Sequence, residues 1–350
     1  MRSGGTDTAG KSWDAADFPK QNMSTYTVGF AADNQMLKDA AEKTGYGQGK
    51  YYQATDAAGL SAALTAALND IASKAGSGGG GSVNSVNLTA SSQYYQTFYD
   101  PTDWRGTVRA YNLDSSGNPG TTAVWSTDDK VKSAGTTIFQ SWNILTSQPI
   151  ALSLLNFSPA QIATLAVGAS SLNTLLNPVT ANDLIEWTKG TNKTGLKTRS
   201  VLLGDIINSP LVYASPTAIT TTDTTGDFSY TTYLGTKAAS MNPALVVNSN
   251  DGMTNVLNTD GTRRYAYLPS TTLANLNAVA NPNYINGVGH KFLNDGQLTV
   301  ADAQINNGWK TLALGGVGAG GRAYYALQLF EAGGSNTTRA LWEINNNTTG

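Results

Sequence analysis

WKTLALGGVGAGGRAYYALQLFEAGGSNTTRALWEI, residues 309–344, is the stretch whose reading decides the fold. Thr311–Val317 is a short apolar run, Arg322–Phe330 is rich in aromatic and aliphatic residues, and Arg339–Ile344 carries Trp342. Each reads as a strand, because β-branched and aromatic side chains fit a pleated, half-buried surface. Gly318-Ala319-Gly320-Gly321 and Gly333-Gly334-Ser335-Asn336 separate them. Runs of glycine there read as turns or close backbone approaches, since glycine adopts φ > 0 without a Cβ penalty.

The same plan occurs twice upstream, in Gly106–Trp125 and Ala244–Tyr267. In both, a strand reaches a leucine (Leu113, Leu257), an Asn/Asp/Gly turn follows, and a strand ends on an aromatic (Trp125, Tyr267). Leu327 and Trp342 are the matching pair in the third copy. A repeated antiparallel unit that buries its faces against its neighbours is expected of a propeller blade, with another multi-sheet β fold as the alternative.

Composition narrows the function classes. Charged residues make up 13% of the chain, about half of the usual ~25%, and 37 glycines suit many tight turns. A net charge of −2 offers no general attraction to nucleic acid or anionic membrane. The absence of cysteine excludes a disulfide scaffold, a thiolate metal site and a Cys nucleophile. No run approaches the ~18 apolar residues of a membrane span. Met1–Lys20 has no apolar core of the signal-peptide kind, so either the protein stays inside or the chain is expected to be an internal piece of a longer one.

Residues 1–75 read as β-α-β-α. Tyr26, Val28 and Phe30 alternate as in a strand, and Asp33 is placed to cap a helix reaching about Thr44, with Gly45 after it. Lys50-Tyr51-Tyr52 reads as a short strand. Asp56 is placed to cap a second helix, with Leu60, Leu64, Leu68 and Ile71 on one stripe and Gly76 at its end. Residues 76–89 start with GSGGGGS and read as a Gly/Ser-rich linker. Residues 90–350 are β-like, except for a helical insertion at about 143–190. In it, Ser158-Pro159 marks one helix start, Ser170–Leu176 a short piece, and Thr180 with Asp183 a capping box. Arg199–Tyr213 reads as strand, turn, strand, and Thr217–Gly226 as a loop.

Several ordered motifs carry a family resemblance. Trp104-x-Gly106 with Ala110-Tyr111-x-Leu113 comes first, then Leu203-Gly204-Asp205-Ile206-x-Asn208-Ser209-Pro210-x-Val212-Tyr213. Next are Asn250-Asp251-Gly252-Met253, Tyr267-Leu268-Pro269, and His290 through Asp295-Gly296 to Asp302. Trp309-Lys310-Thr311 and Gly320-Gly321-Arg322-x-Tyr324-Tyr325-Ala326-Leu327 complete the series. The chain resembles the PilY family of type IV pilus tip-associated adhesin and assembly proteins over roughly residues 90–345. Val28-Gly29-Phe30 and Gly49-Lys50-Tyr51-Tyr52 resemble the C-terminal half of a von Willebrand factor A domain, without the Asp-x-Ser-x-Ser metal motif.

The resemblance implies a mainly β fold: a partial β-propeller, quinoprotein-alcohol-dehydrogenase-like, with a helical insertion and a truncated α/β segment before it. It implies a chain that starts inside the A domain and stops inside the propeller. It also implies a non-enzymatic role in pilus biogenesis and adhesion, controlling assembly and retraction. Implied partners are pilins or minor pilins and a host or abiotic surface, with the protein exported to the pilus tip, outer membrane or cell surface. Two other readings stay open: a quinoprotein-like oxidoreductase using calcium and pyrroloquinoline quinone, and a surface adhesin propeller with no pilus role.

No catalytic residue or cofactor is assigned. His290 is the only histidine, so a Ser-His-Asp triad could exist only through it, and no G-x-S-x-G elbow is present. Asp205, Asp251, Asp295 and Asp302 sit beside glycine or at strand ends, where carboxylates usually close Asx-turns. Calcium ligation is the competing reading, with Asn250, Asp251 and Asp260 the candidate ligands; none completes an EF-hand spacing. The resemblance leaves calcium as an option for the full-length protein. Gly315–Gly321 reads as a hairpin and not a phosphate cradle, because a strand follows where a helix N-terminus is needed.

Overall fold

A computed structural model describes residues 24–31, 33–43, 49–61, 63–64, 67, 78–83, 92–115, 117–284 and 289–346. The chain divides into two units, Met1–Ala75 and Gly76–Gly350.

In the first unit, strand β1 (Thr27–Phe30) pairs in parallel with β2 (Tyr51–Ala54), and helix Gln35–Glu42 joins them. Asn34, not Asp33, caps this helix, accepting from Met36 N at 2.9 Å and Leu37 N at 3.3 Å. Asn34 is the extended residue that directly precedes the first helical turn, which is where a cap must sit. Asp33 instead accepts from Lys38 Nζ at 2.7 Å. Asp56 does accept from Gly59 N at 2.7 Å, opening the next helical turn. The leucine stripe expected after it is not the inward face: Ala63 and Ala67 are buried and Leu64 is 50% exposed. Leu68, Ile71, Gly45 and Gly76 lie outside the described residues.

The second unit contains three sheets among its described residues. The first has β3 (Gly78–Val83), β4 (Gln93–Asp100), β5 (Arg105–Asn112) and β6 (Trp125–Ser126) in that order, all antiparallel. The glycine-rich stretch expected to be a linker therefore contributes an edge strand. Strand pairing uses only backbone groups, so the Tyr- and Phe-bearing β4 can template a partner of low β-propensity.

The second sheet is a meander with an added edge. Strands β7 (Ile138–Asn143) and β8 (Gln148–Ala151) come first in the chain. Then come β9 (Val212–Ala214), β10 (Ala244–Asn248), β11 (Thr254–Leu257) and β12 (Arg263–Leu268). The spatial order is β8-β7-β12-β11-β10-β9, with β7 parallel to β12 and every other pair antiparallel. Of the strand–turn–strand expected over 199–213, only β9 forms; upstream of it Gly204 makes a single bridge to Arg105.

The insertion between β8 and β9 holds helices Pro159–Ser170 and Ala181–Lys189. Both start with reciprocal capping boxes, Ser158 with Gln161 and Thr180 with Asp183. Ser170–Leu176 is not a separate helix; Thr174 and Asn177 close a turn there. A further helix, Ser229–Ser240, occupies part of the β9–β10 connection. Its residues look strand-like, but Tyr230, Tyr233 and Lys237 share one buried face, and tertiary burial overrides propensity.

The third sheet is β13 (Leu298–Ile305), β14 (Gly308–Gly316), β15 (Ala323–Glu331) and β16 (Arg339–Asn345), an antiparallel meander. The three strands read from residues 309–344 are its last three. An aromatic core of Trp142, Tyr230, Tyr233, Tyr265, Tyr267, Tyr325 and Phe330 joins the second and third sheets. Tyr95, Val108, Trp125, Ile206, Leu245 and Val247 join the first and second. Trp125 also donates Nε1–H to Thr259 O at 2.9 Å, and a Cβ on Gly261 would fall 2.5 Å from its ring. The fold is mainly β, built of blade-like sheets that are antiparallel except for the β7–β12 pair.

Candidate functional site

The segment Leu203–Pro210 threads between the three sheets and is positioned by backbone contacts that tolerate no Cβ. Gly106 N donates to Leu203 O at 2.9 Å, and a Cβ on Gly106 would lie 2.1 Å from Gly204 O. A Cβ on Gly204 would lie 2.3 Å from Asp251 N. Asp205 N donates to Trp104 O at 3.2 Å, and Asn250 N to Asp205 O at 2.9 Å. One peptide stretch thus binds the β4–β5 corner of the first sheet and the β10–β11 corner of the second.

A buried polar hub grows from this stretch. Asn250 Nδ2 donates to Asp205 Oδ2 at 2.8 Å, and His290 Nε2 lies 2.8 Å from the same oxygen. Asn208 donates to Asp295 from its backbone N–H, at 3.0 Å, and from its side-chain amide. Asn250 Oδ1 accepts from Leu293 N at 3.0 Å. Ser209 Oγ accepts from Asn248 N at 2.9 Å, while Asn248 Nδ2 donates to Gly296 O at 3.0 Å. Tyr325 OH on β15 donates to Asn248 Oδ1 at 2.8 Å and accepts from Thr254 Oγ1 at 2.6 Å. Burial pushes the Tyr325 phenol up to about 12. Buried polar groups satisfied in this way fix one geometry, because any slip leaves several of them unpaired.

His290 is walled by aromatic rings: Trp104 at 4.1 Å, Phe292 at 4.7 Å and Tyr284 at 6.4 Å. Trp104 has φ +53, the left-handed region that a bulky residue rarely adopts. Beside it, Trp104, Trp187, Lys197, Arg199, Asp205 and Tyr284 line a cavity of about 40 Å³, room for a few waters and not for an organic substrate. Burial lowers Lys197 to about 8 and Arg199 to about 10, and raises Tyr284 to about 12.

The four aspartates read as turn-closers behave differently from one another. Only Asp251 closes its own turn, accepting from Met253 N at 3.1 Å, with Gly252 at φ +98. Asp205 and Asp295 reach across the hub, as described. Asp302 belongs to a second buried cluster, where Lys237 Nζ lies 3.0 and 2.9 Å from its two oxygens. Tyr230 OH and Thr311 Oγ1 also donate to Asp302, at 2.7 and 2.6 Å, and Lys237 reaches Ala218 O at 2.9 Å. The local spacing of an aspartate shows that a turn is near it; it does not show which distant donor it will meet.

Of the calcium candidates, Asn250 and Asp251 sit at one end of β11 and Asp260 at the other, in a separate turn closed onto Thr262 N at 2.9 Å. Among the described residues no group of three or more His, Cys, Asp or Glu is arranged to hold a metal ion. Gly320 packs against the hub side, where a Cβ would lie 1.8 Å from Leu293 O; Gly321 and Arg322 are exposed. Pro210 lies two residues before β9. Sequence reasoning missed Asn248, Asn294, Lys237 and Glu343. Glu343 on β16 accepts from Tyr267 OH at 2.6 Å and Ser270 N at 3.0 Å, a further link between the second and third sheets. An open groove of about 1120 Å³ on the third sheet is lined by Leu314, Arg322, Tyr324, Trp342 and Ile344, among others.

Comparison with known proteins bears on this arrangement. Residues 203–349 match the family model described as the PilY1 beta-propeller domain. A type IV pilus biogenesis factor PilY1 homolog of Xylella fastidiosa is 29% identical over 371 residues, covering 90% of this chain and 25% of that protein. A second homolog of that organism is 28% identical, covering 84% and 23%. Type IV pilus biogenesis factor PilY1 of Pseudomonas aeruginosa strain UCBPP-PA14 is 27% identical over 266 residues, covering 73% and 22%. The chain spans about a quarter of the length of these relatives. No solved structure matches. The matched model begins at Leu203, the first residue of the hub segment; on these findings residues 203–349 carry a PilY1 β-propeller domain, and most of the chain is similar to type IV pilus biogenesis factor PilY1 homologs.

Proposed function

We propose that this chain is the propeller-bearing part of a type IV pilus biogenesis factor, and that the part acts as a non-enzymatic scaffold. The observation that carries this reading is the use of the hub carboxylates. Asp295 and Asp205 accept from Asn208, Asn250 and His290, and so fasten three sheets. A reaction centre would instead aim such groups into a chamber where a substrate fits. The relatives' names supply the pilus connection. In this reading the protein is exported to the cell surface or pilus, where its outer surfaces, the third-sheet groove among them, face pilins, minor pilins or a host or abiotic surface.

The test is genetic and biochemical. Deleting the gene should remove or reduce surface pili and twitching motility, and the intact gene should restore both; unchanged pili would overturn the reading. Purified protein supplied with calcium and pyrroloquinoline quinone should show no dye-linked alcohol oxidation, and turnover there would replace the scaffold by an oxidoreductase.

A further inference from the structure

Residues 133–182 contain no Asp, Glu, Lys or Arg, although 13% of the chain is charged. Within this neutral stretch, helix Pro159–Ser170 buries Gln161, Leu165 and Ala169. Its opposite stripe, Ala160, Ala163, Thr164 and Val167, is exposed and almost as apolar as the buried one. A helix apolar on all sides is normally covered on all sides. Directly after it, Thr174 and Asn177 exchange backbone hydrogen bonds of 3.2 and 3.3 Å, and Asn177 N also reaches Thr174 Oγ1 at 3.1 Å. This closed turn carries Leu175 and Leu176 at its tip, 104% and 88% exposed. Turn tips ordinarily take Gly, Asn, Asp, Ser or Pro for conformational reasons. Two leucines there gain nothing from the turn itself and lose the benefit of burial.

The chemistry of the tip indicates what covers it. Anchor residues of protein–protein interfaces are mostly Trp, Tyr and Arg, with Leu and Val under-represented. This tip is purely aliphatic and projects outward, a shape suited to a fluid apolar medium that needs no matching pocket. The next ionic groups along the chain are already paired, Asp183 with Lys193 at 3.3 Å and Glu186 with Lys189 at 2.7 Å. No free cation is left in this stretch to select anionic headgroups. We propose that the Leu175–Leu176 turn, with exposed Val167 on the helix before it, inserts into the hydrocarbon edge of a lipid surface. The contact is hydrophobic and insensitive to headgroup charge and salt. It does not depend on the pilus role.

The test is flotation of the chain with phosphatidylcholine vesicles, at low and at high salt. The chain should float equally in both, and Leu175→Asp/Leu176→Asp should lower vesicle affinity by at least about tenfold, as expected when leucine burial is lost. Both side chains are exposed, so the variant should keep the wild-type circular dichroism and melting temperature. A chain that does not float, or floats equally well with both aspartates in place, overturns the proposal. So does a dimer, seen by light scattering, that the same variant splits while flotation is absent; the tip would then serve a second copy of this chain.

Discussion

Asn208 donates both its backbone N–H and its side-chain amide to the carboxylate of Asp295, 87 residues further along the chain. The contact ties the segment leading into β9 to the start of the third sheet. It is a two-point bond, so it fixes direction as well as distance. Removing the carboxylate takes the shared acceptor away from both Asn208 donors, at a part-buried position, and a longer 3.4 Å contact away from Asn250, whose amide keeps Asp205.

Asp295→Ala is therefore expected to cost about 1.5–3 kcal/mol, the range for hydrogen bonds to a charged group. Urea unfolding of the second unit, followed by tryptophan fluorescence, measures it. A midpoint within error of wild type would show that the hub contributes nothing to holding the sheets.

The Lys237–Asp302 pair makes a different kind of prediction. Both side chains are buried, 1% and 0% exposed, and every donor around them is used. Lys237→Met alone leaves a buried carboxylate without its cation and should cost about 3–5 kcal/mol. The double variant Lys237→Met/Asp302→Leu should recover most of that loss. Non-recovery would mean that the Tyr230 and Thr311 hydroxyls, not the ion pair, are the costly losses.

Close backbone approach predicts a contrast between two glycines. Gly204→Ala drives a Cβ to 2.3 Å from Asp251 N and should cost about 2–4 kcal/mol. Gly135→Ala, at φ +54 with open space around it, should cost only about 1 kcal/mol. Equal losses in thermal melts would contradict the packing described at the hub.

Lys197 sets a pH dependence. Burial lowers it in the folded protein from 10.5 to about 8. Between those values the unfolded chain binds more protons, so this group makes stability rise with pH across that window. Its destabilising effect is full below pH 8. Melting temperatures of wild type minus those of Lys197→Met should therefore climb between pH 8 and 10, and a flat difference would remove Lys197 from the account. Tyr284 and Tyr325, raised to about 12, act in the opposite sense, but only above pH 10.

Much of this fold is legible in the sequence, and the hub is legible as a set of residues but not as a set of contacts. Residues 309–344 show their strands because apolar runs and glycine turns alternate there. The capping boxes at Ser158 and Thr180 show because their partners are three residues away. Asp205 and Asp295 stand out by their neighbours, yet their partners are Asn250 and Asn208, which no local rule selects. Lys237 and Tyr230 lie in a Thr/Tyr-rich stretch whose propensity hides a helix. The edge strand Gly78–Val83 is hidden for the opposite reason, since its side chains carry no signal and its pairing is all backbone.

The central claim is that the Asp205–His290 hub fastens sheets and carries out no turnover. Asp205→Asn, introduced into the full-length gene, tests it most directly, because it keeps size and shape and removes the charge. Pili and motility should follow the fraction of folded protein, so a variant that melts like wild type should also pilate like wild type. A variant with unchanged melting temperature and surface abundance but no pili would contradict the claim.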